Sequence, residues 1–504
     1  MATQQALTTE PKSIRFIRRL IVFIVVIFVG LLGYPLFSTT TTIYRADLPI
    51  SEVNELATIF QDKIHFKIPV YIDVSNSLEY FIPSCQEMID DELYGKYPNL
   101  KDTWQIDLKR KVKETIDTEK DYVIRMNVAE SFSYFISPFS KEINLSITRE
   151  AHTKTVETFL KKVLLEHVFQ EEIEQLDSLL SSKKETSQVV MPYSSNYNVV
   201  FSLLVENGQT LNWDIEESTK LFRPLFEKLQ HFSNFSISSQ IQYYSKLTKE
   251  VKYDQGRDAY VLKDSELSTF INFGDWNLVT HDIKPTINFL VYFPDSNYKG
   301  KPFLIENSDT NSFLVPQWGG VSIFNKGLPV LSGAQVTLTD DELLPVMEIF
   351  ASQLFQLLGL PSTPKSPSIR IDTLSRITFF KNSKKALENL LSLIKLTQSL
   401  NEISIPENTK EYVLETISYI NRSLTVLDDH QDYPQAIELS SKALENSDKA
   451  FFEKEMVQQA YFPSEHKLAV LLPLLGPVTS IITLGFLKML VDLKTDRRNK
   501  LKTE

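Results

Sequence analysis

Near each end of the chain lies a run of residues without a single charge, and these two runs limit what the rest can be. Residues 20–37 read LIVFIVVIFVGLLGYPLF and residues 468–487 read LAVLLPLLGPVTSIITLGFL. Wound as helices they would reach roughly 27 and 30 Å, the thickness of a bilayer's hydrocarbon core. Four cations (Lys12, Arg15, Arg18, Arg19) precede the first run, and Lys488, Lys494, Arg497, Arg498, Lys500 and Lys502 follow the second. The positive-inside rule predicts a hairpin, with basic tails 1–19 and 488–504 in the cytosol and residues 38–467 across the membrane. The alternative for the first run is a cleaved signal peptide, whose apolar region is shorter, about 7–15 residues. A retained anchor is therefore the expectation.

Charge agrees with that plan. The 504 residues hold 53 Lys and Arg against 64 Asp and Glu, a net −11. Each tail sums to +3, so the region between the tails carries −17. An acidic balance argues against broad nucleic-acid binding, which needs clustered cations, so no nucleic acid is expected as a partner. An apolar fraction of 42% and a mean hydropathy of −0.14 exclude a disordered chain and a polytopic membrane protein. One cysteine, Cys85, excludes an internal disulfide framework and a cysteine-built zinc site. Three sequons, at Asn144, Asn234 and Asn421, fall between the spans and none in a tail. Each is a candidate N-glycosylation site if that region enters the secretory pathway.

Between the spans the patterns alternate before they turn helical. Ser51 caps a short helix to about Gln61, and Ile68-Pro69-Val70-Tyr71-Ile72-Asp73-Val74 reads as a strand. Two strands are expected within 131–148. From 153 to 180, apolar residues recur at spacings of three and four, with Lys161, Lys162, Glu171 and Glu172 on the remaining face. That helix either binds a partner or packs on its own sheet. Strand-like runs return at 197–206, 287–293 and 321–324, and after Leu338 helices dominate, with segments near 383–400, 407–427 and 434–460. The expected fold is an α/β lumenal domain over 38–338, a β-sheet flanked by helices. A helical section over 339–467 and one transmembrane helix at each end, 20–37 and 468–487, complete it.

No catalytic constellation emerges. The seven histidines form no H-E-x-x-H, and there is no G-x-S-x-G, GxGxxG or P-loop. No catalytic, cofactor-binding or metal-binding residue is assigned, and no cofactor is expected. A lone Cys85 reads as a small buried hydrophobe or, with a base nearby, a nucleophile. Asp90-Asp91 and Asp340-Asp341 read as turn or cap residues. Trp318-Gly319-Gly320 is a candidate structural motif: a tight turn at a strand edge, or a place where another backbone comes close. Pro473, Gly476 and Pro477 interrupt the second apolar run, either as a tolerated kink or as a candidate membrane interface where freed carbonyls find partners in an assembly.

Several segments together resemble the PIG-S family in a fungal version. They are the first apolar run followed by Tyr44-Arg45-Ala46-Asp47-Leu48-Pro49, the stretch Pro316-Gln317-Trp318-Gly319-Gly320, and Tyr461-Phe462-Pro463 leading to Leu471-Leu472-Pro473-Leu474-Leu475-Gly476-Pro477. The resemblance covers essentially the whole chain. It implies a non-catalytic subunit of the endoplasmic reticulum complex that replaces the C-terminal signal of precursor proteins with a glycosylphosphatidylinositol (GPI) anchor. The family's partners would be PIG-K, which carries the catalytic thiol, with PIG-T, PIG-U and the GPI attachment factor. The competing reading is a membrane-anchored lumenal enzyme, transferase-like, with an unrecognised site.

Overall fold

The structure, a computed structural model, describes residues 12–28, 31, 43–73, 81–111, 117–181, 190–208, 210–247, 251–270, 284–295, 298, 300–325, 336–400, 403–430, 432–456 and 464–500. The chain forms two compact units. One joins Asn54–Leu387 with Thr416–Glu445; the other joins Met1–Val53 with Glu388–Glu415 and Asn446–Glu504.

The first elements are α1 (Lys12–Phe28), α2 (Ile50–Ile59), β1 (Phe66–Asp73), α3 (Phe81–Lys96), β2 (Trp104–Arg110), β3 (Tyr122–Ala129), β4 (Ser133–Ile136) and β5 (Glu142–Thr148). β1–β5 make one sheet in the order β2-β1-β3-β5-β4. β1 and β2 alternate apolar and polar residues, so one face is buried and the other is not. The helix expected over 153–180 is broken. α4 (Thr153–Val163) and α5 (Gln170–Leu180) flank a π-helical turn, Leu164–Val168. The Phe169 amide reaches back to the Leu164 carbonyl at 3.0 Å, and both side chains are buried.

A second series follows: β6 (Asn196–Val205), β7 (Leu211–Trp213), α6 (Ile215–Ser218), α7 (Arg223–Leu229), β8 (Asn234–Gln242), β9 (Lys252–Asp254), β10 (Ala259–Leu262), β11 (Thr286–Phe293), β12 (Phe303–Ile305), β13 (Ser312–Val315), β14 (Gly319–Ile323) and β15 (Val336–Leu338). Its main sheet runs β13-β14-β11-β6-β8, with a small sheet β12-β10-β9 and a pair β15-β7. β6 and β11 are apolar along most of their length because both faces of this sheet are covered.

The two five-stranded sheets repeat one topology. Numbered within each sheet, both follow the order 2-1-3-5-4. Strand 1 is parallel to strands 2 and 3, strand 3 is parallel to strand 5, and strand 4 returns antiparallel beside strand 5. The expected single sheet is thus a tandem pair. After it come α8 (Asp340–Leu358), α9 (Pro367–Ser399), α10 (Glu407–His430), α11 (Tyr433–Phe451) and α12 (Ser464–Lys500). α8 opens with the Thr339 amide donating to Glu342 at 3.2 Å and closes on Gly359, whose φ of 81° only glycine adopts easily. Val346, Phe350 and Leu354 of α8 belong to the core of the second sheet.

In the other unit, α1 and α12 lie antiparallel. The Arg18 guanidinium pairs with Asp492, and Gly485 faces Val22, whose methyl stands 3.5 Å from where a Cβ would be. Among the described residues no helix is long and apolar enough to cross a membrane. Most of the expected first span beyond Phe28 lies outside the described residues. The second lies within α12, many of whose side chains over 464–478 are also outside them.

Candidate functional site

Cys85 is the residue on which a thiol-based catalytic reading would rest. It sits on α3, fully buried, with Sγ 3.9 Å from the Glu157 carbonyl oxygen of α4. Burial, reinforced by the Glu157 carboxylate, pushes its thiol up to about 12. At neutral pH such a group is a thiol, not the thiolate a nucleophile needs. Among the described residues no group of three or more His, Cys, Asp or Glu could hold a metal ion.

Tyr44 and Arg45 act as a clamp. The Arg45 guanidinium donates to the carbonyls of Thr397 (2.6 Å), Leu400 (2.9 Å) and Ile403 (3.1 Å), in the last turn of α9 and just beyond it, where the helix dipole favours a cation. The Ala46 amide donates to Ile405 O at 2.9 Å, and the Ile405 amide to Tyr44 O at 3.0 Å. The Tyr44 hydroxyl donates to Glu407 at 2.6 Å, at the start of α10. That bond raises the Tyr44 pKa and lowers that of Glu407. The segment after the first apolar run is thereby fastened to the α9–α10 connection.

Trp318, Gly319 and Gly320 lie at the start of β14, between β13 and β11. Gln317 takes the left-handed conformation (φ 55°) before them. A Cβ on Gly319 would stand 1.8 Å from Asn288 O of the neighbouring strand. One on Gly320 would meet Gln353 Oε1 of α8 at 1.9 Å. Trp318 is 8% exposed, in the core beneath the small β9–β10–β12 sheet. The two glycines thus allow a strand on one side and a helix on the other to approach.

A buried ionic network was missed by sequence reasoning. Glu172, expected on a solvent face, is 1% exposed. Its carboxylate accepts from Trp104 Nε1 at 2.7 Å, Thr373 Oγ1 at 2.7 Å, and Arg376 through Nε at 2.5 Å and a terminal nitrogen at 2.6 Å. Arg376 also reaches the Tyr122 hydroxyl at 3.4 Å, and that hydroxyl donates to Asp372 at 3.0 Å. The signal was available. Glu172 stands three residues after Phe169 and four before Leu176, inside the apolar stripe.

The three sequons fall apart from one another. Asn144 is half-buried in β5 and donates to Glu142 at 3.0 Å, Asn234 is exposed at the start of edge strand β8, and Asn421 is exposed on α10. Pro473 and Pro477 lie inside α12, where the Gly476 carbonyl accepts from the hydroxyls of Thr479 (3.0 Å) and Ser480 (2.7 Å). Tyr461-Phe462-Pro463 lies outside the described residues.

These features define a tandem-sheet α/β protein whose one thiol is sealed in its core and whose distinctive residues hold elements together. Comparison with known proteins then places it. The chain belongs to the PIG-S family, "Phosphatidylinositol-glycan biosynthesis class S protein", whose family model matches residues 22–496. It is 31% identical to the Saccharomyces cerevisiae GPI transamidase component GPI17, over 94% of this chain and 92% of that one. It is 25% identical to the Bos taurus GPI-anchor transamidase component PIGS, over 100% of both. The Schizosaccharomyces pombe GPI transamidase component PIG-S homolog is 29% identical over 63% of this chain and 57% of its own.

Proposed function

We propose that this chain is a non-catalytic structural and interaction subunit of the endoplasmic reticulum GPI transamidase, assembling with PIG-K, PIG-T, PIG-U and the GPI attachment factor. Family membership over almost the whole chain supports the complex. The observation that carries the non-catalytic half is the sealed Cys85, whose thiol stays protonated at the pH of the endoplasmic reticulum. Mild-detergent purification through this chain tests the assignment. Recovery of transamidase activity with several subunits in fixed ratio supports it; a lone chain that is active by itself overturns it.

The same reading makes 20–37 and 468–487 membrane spans, 1–19 and 488–504 cytosolic tails, and 38–467 lumenal. The antiparallel run of α1 beside α12 and the +3, −17, +3 charge distribution support it. Protease added to sealed microsomes should trim the tails alone, and digestion of 38–467 in intact vesicles would refute the topology. A lumenal region also exposes Asn234 and Asn421 to glycosylation. Endoglycosidase should raise gel mobility, and an unchanged band would count against it.

A further inference from the structure

The two sheets share a topology but not a cover. On the second sheet, α6 to α8 and the residues joining them close one face, where Phe201, Leu203 and Val291 meet Phe222, Phe350 and Leu354. The opposite face, with Leu204, Leu290 and Tyr292, is sealed by Leu262 and Phe270 from the long connection between strands 2 and 3, residues 243–285, and by Phe303 of β12. On the first sheet the helix side is closed likewise: Trp104 packs on Phe169 and Phe66 on Phe379. The matching connection there is only residues 111–121. The face away from the helices buries Val123 and half-buries Tyr71 but bears Lys67, Gln105, Lys109, Arg125, Asn127 and Phe135 exposed around them. A mainly parallel sheet is ordinarily buried on both faces.

The hairpin of strands 4 and 5 shows the difference most clearly. In the second sheet the Phe313 ring lies 5.9 Å from Phe270, and Trp318 in the turn is 8% exposed. In the first sheet Phe135 is 60% exposed and Phe139, in the turn, 83%. β4 is also the last strand of its sheet, so its backbone presents an edge to which another strand can add.

We propose that the β4–β5 hairpin and the open face beside it dock an extended apolar segment of another subunit of the complex. That segment adds at the β4 edge and lays aromatic or aliphatic side chains on Phe135 and Phe139, as Phe270 and Phe303 do for the second sheet from within the chain. The proposal rests on the assembly reading above. The chemistry around the aromatic centre is that of a protein interface rather than a membrane surface. Lys109 pairs with Asp107 at 2.8 Å and Arg125 with Glu142 at 3.1 Å, giving a largely balanced polar rim instead of the field of cations that anionic lipid attracts. Asn144 stands directly across from Phe135 on the same face. A glycan there would cover the docking ground, so Asn144 is unmodified in the assembled protein.

The test uses the full chain in cells, with Phe135→Ser/Phe139→Ser beside Phe135→Leu/Phe139→Leu. Both side chains are exposed, so the Ser pair keeps the wild-type melting temperature. Its recovery of at least one transamidase subunit falls about tenfold or more, the loss expected when hot-spot aromatics are removed, while the Leu pair restores it. A photoreactive residue at 135 in the purified complex crosslinks to an extended apolar segment of that same subunit. Undiminished recovery with the Ser pair overturns the proposal, as do crosslinks confined to lipid, or a glycan on Asn144 in the native complex. If the wild-type chain itself brings down no transamidase subunit, the assembly reading has failed instead.

Discussion

Replacing Arg376 by Met tests whether the buried network between α5, α9 and the first sheet is a main determinant of stability. The pair is almost wholly removed from water, with side-chain exposures of 1% for Arg376 and 0% for Glu172. Arg376→Met withdraws two donors and, among the described residues, the only positive charge in direct contact with the Glu172 carboxylate, leaving Trp104 Nε1 and Thr373 Oγ1 to hold a buried anion. Breaking a buried pair from one side costs about 3–5 kcal/mol. Glu172→Gln should cost less, because Asp372, 4.0 Å from the guanidinium, still opposes its charge. The double variant Glu172→Gln/Arg376→Met removes both charges yet keeps an amide oxygen for Trp104. It should be more stable than either single change, with a coupling energy of roughly 2–3 kcal/mol at least. Urea unfolding of the full chain in detergent, followed by tryptophan fluorescence, reads the cycle. Single changes costing under about 1 kcal/mol, or costs that simply add, would refute the account of the network.

Four further outcomes follow from the geometry. Gly319→Ala should misfold the chain or cost over about 3 kcal/mol, because the new Cβ would collide with the Asn288 carbonyl; Gly320→Ala should cost less, since the Gln353 side chain can move. Parallel urea titrations would check the ranking. Arg45→Met should cost about 2–3 kcal/mol and speed hydrogen exchange at Leu400, Ile403 and Ile405, whereas unchanged exchange would mean the clamp is dispensable. Cys85, Tyr94 and Tyr433 are all pushed up to about 12 by burial, so the folded state holds their protons more tightly than the unfolded one. Their contribution is complete below about pH 8.5 for Cys85 and about pH 10 for the tyrosines and is lost as pH rises toward 12, at about 1.4 kcal/mol per pH unit for Cys85 and Tyr433 and less for the part-exposed Tyr94. A melting temperature flat from pH 9 to 12 would contradict this. Pro473→Leu/Pro477→Leu should weaken subunit recovery and slow anchor attachment together; no change in either would make the prolines merely tolerated.

The parts legible in sequence were those where burial leaves a simple period. β6 and β11 are apolar along most of their length, and the helices after Leu338 carry spacings of three and four, so both regions read correctly in kind. β2 and β3 passed unnoticed because a half-buried strand such as WQIDLKR places polar residues at every second position and resembles a polar loop. The repeat of 2-1-3-5-4 was invisible for a related reason. Among the described residues one copy is covered on both faces and the other mainly on one, so equivalent strands have unlike compositions although they pair alike. Gly319 and Gly320 read equally as a turn or as a place where another backbone comes close, because glycine serves both, and only the packing of Asn288 and Gln353 against them separates the two. The clamp at Arg45 joins residues more than 350 positions apart, a contact no local pattern encodes.

The central claim, that this chain serves the transamidase without supplying a reacting group, is tested most directly by one rate. Cys85→Ala, which keeps the site apolar and costs about 1 kcal/mol of stability, is introduced into the full chain and the complete complex is purified. The rate of anchor attachment to a model precursor is then measured against wild type at equal subunit content. The account predicts the same rate within about twofold, because a fully buried thiol with its pKa near 12 takes no part in the chemistry. A fall of about a thousandfold or more in an intact complex would contradict it and make Cys85 the nucleophile.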